Sequence, residues 1–94
     1  MKPRKAKDVA NGLLRKGFVA SDSHHTFYAL YVNGKKTRIK TKISHGEKEC
    51  DQYILGQIAK QIHLDARSFC DLLDCPLSHA AYVKILVGKK TISV

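Results

Sequence analysis

Acidic side chains are scarce in this chain: eight Asp/Glu stand against seventeen Lys/Arg in 94 residues, a formal net charge of +9. The shortage is uneven. Residues 1–48 hold three acidic and twelve basic residues, whereas residues 49–94 hold five of each. The excess therefore lies in the first half and points to a polyanionic partner, nucleic acid ahead of membrane, because no basic helix carries a bulky apolar face. Long apolar runs are missing too. No stretch nears the roughly 20 residues needed to cross a bilayer, and the lysine-rich start lacks the apolar middle of an export signal, so a cytoplasmic protein with no membrane partner is expected. Cysteines number three, Cys50, Cys70 and Cys75, with no CxxC pair; an odd count without an export signal favours free thiols. Cys70, Cys75 and His79 have no fourth ligand at a metal-binding spacing, so neither a metal nor another cofactor is expected. Repeats and low-complexity tracts are absent. Hydrophobic content is 44%, ordinary for a globular chain, and residues 1–94 read as a single domain with an adequate core.

Hydrophobic periodicity supplies the elements. From Lys5 to Lys16, apolar residues Ala6, Val9, Ala10, Leu13 and Leu14 recur at helical spacing, and Gly17 follows as a C-terminal stop. Strands are expected over about 18–21, 24–32 and 35–43. A second helix is predicted from Cys50 to His63, with Ile54, Leu55, Ile58, Ala59 and Ile62 on one face and Glu49 and Asp51 favourably placed at its start. Asp65 caps a third helix over 66–73, and Ser78 caps a fourth through Leu86, ended by Gly88. The order is α-β-β-β-α with two further helices, an α+β domain. Tyr53 and Tyr82 are expected in the core or at its boundary.

Asn33-Gly34, between two β-rich runs, is the strongest hairpin signal in the chain, since a two-residue type I′ turn needs positive φ at both central positions. That turn pairs Val32 with Lys35, Tyr31 with Lys36, Ala29 with Arg38, Phe27 with Lys40 and His25 with Lys42. Side chains alternate across a strand, so the last four pairs share one face, while Tyr28, Leu30, Val32, Ile39 and Ile43 line the other as a core. A histidine thus sits at the end of a basic stripe with two aromatics between, a place suited to holding and cutting a polyanion.

The residues that carry this pattern resemble the HicA family of toxins from bacterial and archaeal toxin–antitoxin pairs. The resemblance covers about residues 5–63: an amphipathic first helix ending in Lys16-Gly17-Phe18, the segment Ser23-His24-His25-Thr26-Phe27, and Ile43-Ser44-His45 before the second helix. It implies a fold like a double-stranded-RNA-binding domain, ribosome-independent cleavage of mRNA, and neutralisation by a HicB-like antitoxin protein. The family's essential histidine maps onto His25. Three positions differ: Asp22 replaces the family glycine, and Ser44 and Gly46 replace the prolines flanking the second-site histidine. Residues 64–94 form a helical extension that short family members lack, and they are expected to add core.

RNA cleavage without a metal needs one group to take the 2′-hydroxyl proton, one to protonate the 5′-oxygen, and positive charge for the phosphorane. His25 suits either proton role, because a histidine side chain can both give and take a proton near neutral pH. Lys42 would stabilise the phosphate charge, Lys36, Arg38 and Lys40 would hold the backbone, and Phe27 or Tyr31 would stack on an unpaired base. No second proton carrier is evident from His24 or His45. Two alternatives stay open: a non-catalytic RNA-binding domain of the same fold, and a HicA-derived protein that binds only a partner protein.

Overall fold

A computed structural model describes residues 2–22, 25–44, 48–74 and 76–92. Its elements, in chain order, are β1 (Arg4–Lys5), α1 (Ala6–Arg15), β2 (Phe18–Asp22), β3 (Thr26–Val32), β4 (Lys35–Ile43), β5 (Glu49–Cys50), α2 (Gln52–Gln61), α3 (Ala66–Leu73) and α4 (His79–Gly88). The fold is α+β: β2-β3-β4 form a three-stranded antiparallel meander, and β1 pairs with β5 in a short ribbon that ties the start of α1 to the start of α2. Among the described residues there are four helices.

The helix starts obey local chemistry. The side chains of Asp51, Asp65 and Ser78 each accept a hydrogen bond from a backbone N–H three residues on, satisfying donors that the first helical turn leaves free. The Asp65 carboxyl is held below the usual carboxylate range chiefly by the Ser68 backbone N–H. Helix α1 stops where Gly17 takes φ +96°. This conformation needs glycine, and a Cβ there would also stand 2.3 Å from His79 Nδ1. The predicted C-terminal end of α4 moves slightly, with Gly88 its last residue.

Asn33 and Gly34 form the expected turn, with φ +54° and +77°, and Val32 and Tyr31 pair with Lys35 and Lys36 as predicted. Beyond that point the pairing departs from the expected register. Ala29 pairs with Lys40 and Phe27 with Lys42, so β4 carries two extra residues opposite Leu30. Thr37 closes this bulge: its hydroxyl donates to the Leu30 carbonyl at 2.8 Å and accepts from the Ile39 N–H at 3.2 Å. An even insertion leaves the facing of the side chains on either side of the bulge unchanged, because strand periodicity is two. Partners shift; faces do not.

The core face is the one expected: Tyr28, Leu30, Val32, Ile39 and Ile43 are all buried, together with Phe18 and Thr41. Burial and the nearby Asp22 charge raise the Tyr28 phenol above its ordinary pKa. Against this face lie Val9 and Leu13 of α1, Leu55, Ile58 and Ala59 of α2, and the C-terminal helices. Phe69, Leu72, Tyr82 and Leu86 are fully buried in the same cluster, so residues 64–92 supply core rather than an appendage. Burying each such side chain contributes about 1.5–3 kcal/mol. Tyr82 stacks on Phe18 with ring centroids 6.1 Å apart and donates its hydroxyl to the Ile62 carbonyl at 2.8 Å; burial drives its phenol well above the ordinary range.

Lys16 explains how the extension is fastened. Its side chain is buried, and Nζ donates to the Leu72 carbonyl at 2.9 Å and the Leu77 carbonyl at 2.6 Å. A cation at the carbonyl end of α3 is favoured by the helix dipole. The Lys16 carbonyl in turn accepts from His79 Nδ1 at 2.8 Å. Among the described residues no helix is long and apolar enough to cross a membrane.

Candidate nucleic-acid interface

Strand alternation divides the meander into a buried face and an outer face. The outer positions are Val19 and Ser21 of β2, Phe27, Ala29 and Tyr31 of β3, and Lys36, Lys40 and Lys42 of β4. The three lysines are exposed, Phe27 and Tyr31 are half-buried, and Val19 is 47% exposed. The helices bury their apolar sides against the opposite face, so this one stays open. Among its described positions the outer face holds no acidic residue. Asp22, at the end of β2, lies opposite Thr26 in the alternation of the core face, and its Oδ1 accepts from Thr26 Oγ1 at 2.8 Å.

His25 sits just before β3, half-buried, its ring edge-on to Phe27 with centroids 6.4 Å apart. Its Nδ1 is buried and has no hydrogen-bond partner among the described residues. A buried polar atom without a partner carries a free-energy cost of about 1–3 kcal/mol, and such atoms accumulate where a ligand supplies the missing bond. Because Lys42 faces Phe27, it stands diagonal to His25 rather than directly across from it. In a regular sheet that relation corresponds to roughly 7–8 Å, against roughly 5 Å for a direct pair.

Of the residues expected to form the site, Phe27, Lys36, Lys40 and Lys42 share the outer face with His25 at its end. Arg38 does not join them. It falls in the bulge, and its Nε–H donates to the Thr91 carbonyl at 3.2 Å. There it lines, with Lys35, Lys36, Val32 and Ile92, a cleft of about 480 Å3 between β4 and the C-terminal segment. The direct His25–Lys42, Phe27–Lys40 and Ala29–Arg38 pairs are replaced for the same reason: the two-residue bulge displaces them. His24, His45, Gly46 and Cys75 lie outside the described residues. Cys50 is buried and Cys70 half-buried, neither in a disulfide, and among the described residues no three His, Cys, Asp or Glu gather as a metal site. His79, which showed no constellation in sequence, bonds to the Lys16 carbonyl.

Tyr53 corrects another expectation. It is neither core nor boundary but 73% exposed. At 3.6 residues per turn, a residue two places before buried Leu55 lies roughly 200° around the helix from it. That offset was the available signal. Tyr53, Gln57 and Gln61, four apart, form one row along α2 beside β4. Between this row and the strand runs a trough of about 240 Å3, lined also by Lys42, Ile43, Ser44, Ile54 and Ile58. A second trough of about 320 Å3 adjoins it, lined by Phe27, Lys40, Thr41, Lys42 and Gln61. Lys42 and Gln61 border both, and neither contains an acidic residue among the described residues. Gln61 Oε1 accepts from Thr41 Oγ1, fixing the amide at the junction.

The chain matches no protein-family model, no curated protein and no solved structure.

Proposed function

We propose that the chain is a HicA-like toxin, an endoribonuclease that cleaves mRNA through His25 and is held in check by a HicB-like antitoxin. The observation that carries this reading is the open outer face of the sheet, acid-free among the described residues, where three lysines flank two aromatic rings and His25, whose buried ring nitrogen has no partner among the described residues, closes the row. The order α1-β2-β3-β4-α2, with the helices against one face, is the arrangement that a fold like the double-stranded-RNA-binding domain requires, and it supports the same reading.

In this scheme RNA lies over the outer face with its phosphates on Lys36, Lys40 and Lys42. Phe27 and Tyr31 offer faces on which unpaired bases stack. His25 exchanges a proton with the ribose 2′-hydroxyl or the leaving 5′-oxygen through a ring nitrogen. Lys42, one diagonal away, balances negative charge that develops on the phosphorane. Arg38 serves the C-terminal segment instead. An antitoxin that covers this face with acidic side chains would shield His25 and the lysines together.

Asp22 favours a second reading, an RNA-binding domain without turnover, since it sets a carboxylate, hydrogen-bonded to Thr26, at the end of β2. Expression of the wild type and His25→Ala in a host without antitoxin distinguishes the two. Growth arrest with mRNA decay is expected for the wild type alone. Intact mRNA with both proteins, each soluble and folded, would exclude cleavage and leave the binding domain. Decay that persists in His25→Ala would remove His25 from the chemistry.

A further inference from the structure

Resting on the RNA reading above, we infer that the trough between β4 and α2 is a second base-binding site, in which Tyr53 stacks on an unpaired base of a single strand that has crossed the β4 edge at Lys42. A tyrosine that belonged to the core would not be 73% exposed at the wall of a groove. A solvated helix face would not set that ring beside apolar Ile43, Ile54 and Ile58 with a lysine on the opposite wall.

The shape favours a strand lying across the surface over an enclosed small molecule. At about 240 and 320 Å3, both open troughs lie at the lower limit of small-molecule pockets, about 300 Å3. They also share two lining residues, Lys42 and Gln61. Phe27 stands in one and Tyr53 in the other, so a chain passing from ring to ring crosses the cation that would hold its phosphate. The charge is complementary, since among the described residues the linings hold two lysines and no acid. Gln57 and Gln61, in the same row as Tyr53, present amides able to donate to and accept from base edges. A regular duplex buries its base faces in its own stack and has none to offer Tyr53; the site therefore discriminates for single strands.

The test measures fluorescence anisotropy with a labelled 12-nucleotide 2′-O-methyl oligonucleotide, unable to self-pair and resistant to cleavage through the 2′-oxygen, and with its duplex. Wild type, Tyr53→Ala, Tyr53→Phe and Lys42→Ala are compared at one salt concentration. Tyr53→Ala is expected to weaken single-strand binding about tenfold, the loss of one stacked base, while Tyr53→Phe keeps it within about twofold because the ring remains. Duplex affinity should not change in either variant. Because Tyr53 is exposed, thermal denaturation of the three Tyr53 forms should coincide. An unchanged Tyr53→Ala affinity alongside a Lys42→Ala loss overturns the second site while sparing the sheet-face reading. Absence of binding by the wild type to either probe overturns both, and a preference for the duplex overturns the single-strand assignment.

Discussion

Gly17→Ala should cost far more than an exchange at a helix end usually does. Gly17 has φ +96°, and a residue with a Cβ pays about 1–2 kcal/mol in left-handed backbone. The added carbon would also meet His79 Nδ1 at 2.3 Å and Cε1 at 2.5 Å. The imidazole must turn away, breaking the 2.8 Å bond that its Nδ1–H donates to the Lys16 carbonyl, a loss of about 0.5–1.5 kcal/mol. The two contributions together come to about 1.5–3.5 kcal/mol, or roughly 6–28 °C in Tm for a domain of this size. Urea denaturation followed by far-ultraviolet circular dichroism measures the change, and His79→Ala separates its parts. In that background the steric and hydrogen-bond component disappears, so Gly17→Ala should fall to the backbone cost of about 1–2 kcal/mol. A cost below about 0.5 kcal/mol, smaller than even the least of these contributions, would refute the close approach of α4 to the end of α1. So would an equal cost with and without His79.

Two further outcomes follow from named contacts. Thr37→Val removes the hydroxyl that bridges Leu30 and Ile39 across the bulge, leaving two backbone groups short of a partner. A destabilisation of about 1–2 kcal/mol is expected, and an unchanged urea midpoint would show that the bulge does not depend on Thr37. Asp74 accepts from both terminal nitrogens of Arg4, at 2.7 and 2.9 Å. This hydrogen bonding, ahead of simple charge attraction, lowers the Asp74 pKa in the folded chain. The pair is solvent-exposed, with half of the Asp74 side chain accessible, so its contribution is about 0.5 kcal/mol. A depressed carboxyl pKa stabilises above the unfolded value of about 3.9 and ceases to do so as pH falls through the folded one. Asp74→Asn should therefore be slightly less stable than wild type at neutral pH and converge with it as pH falls below the folded carboxyl pKa; a difference that persists there would place the effect elsewhere.

The residues with unusual burial share a logic that bears on the proposed activity. Lys16, Gly17 and Phe18, part of the segment that carries the resemblance to HicA, all serve the junction with α3 and α4: a buried ammonium on two carbonyls, a glycine beneath His79, and a ring stacked on Tyr82. They brace one side of the sheet. The outer side, with its exposed lysines, is not used in this junction.

Much was legible in the sequence because it depends on neighbours in the chain. Apolar spacing located the four helices and three strands of the meander, side-chain oxygens marked the helix starts, and Asn33-Gly34 set the turn through its own backbone preferences. The division of β3 and β4 into core and outer faces followed from alternation, and so placed His25, Phe27 and the lysines together. The tertiary structure decided what depends on distant contacts. The bulge arises where Thr37 bonds across to Leu30 and Arg38 reaches Thr91, and it moves Lys42 from His25 to Phe27 without altering any face. The rotation of α2 that buries Leu55 turns Tyr53 outward beside β4, and the packing of α3 encloses Lys16. Local periodicity assigns a residue to a side of its own element; only the packing of elements settles what stands opposite.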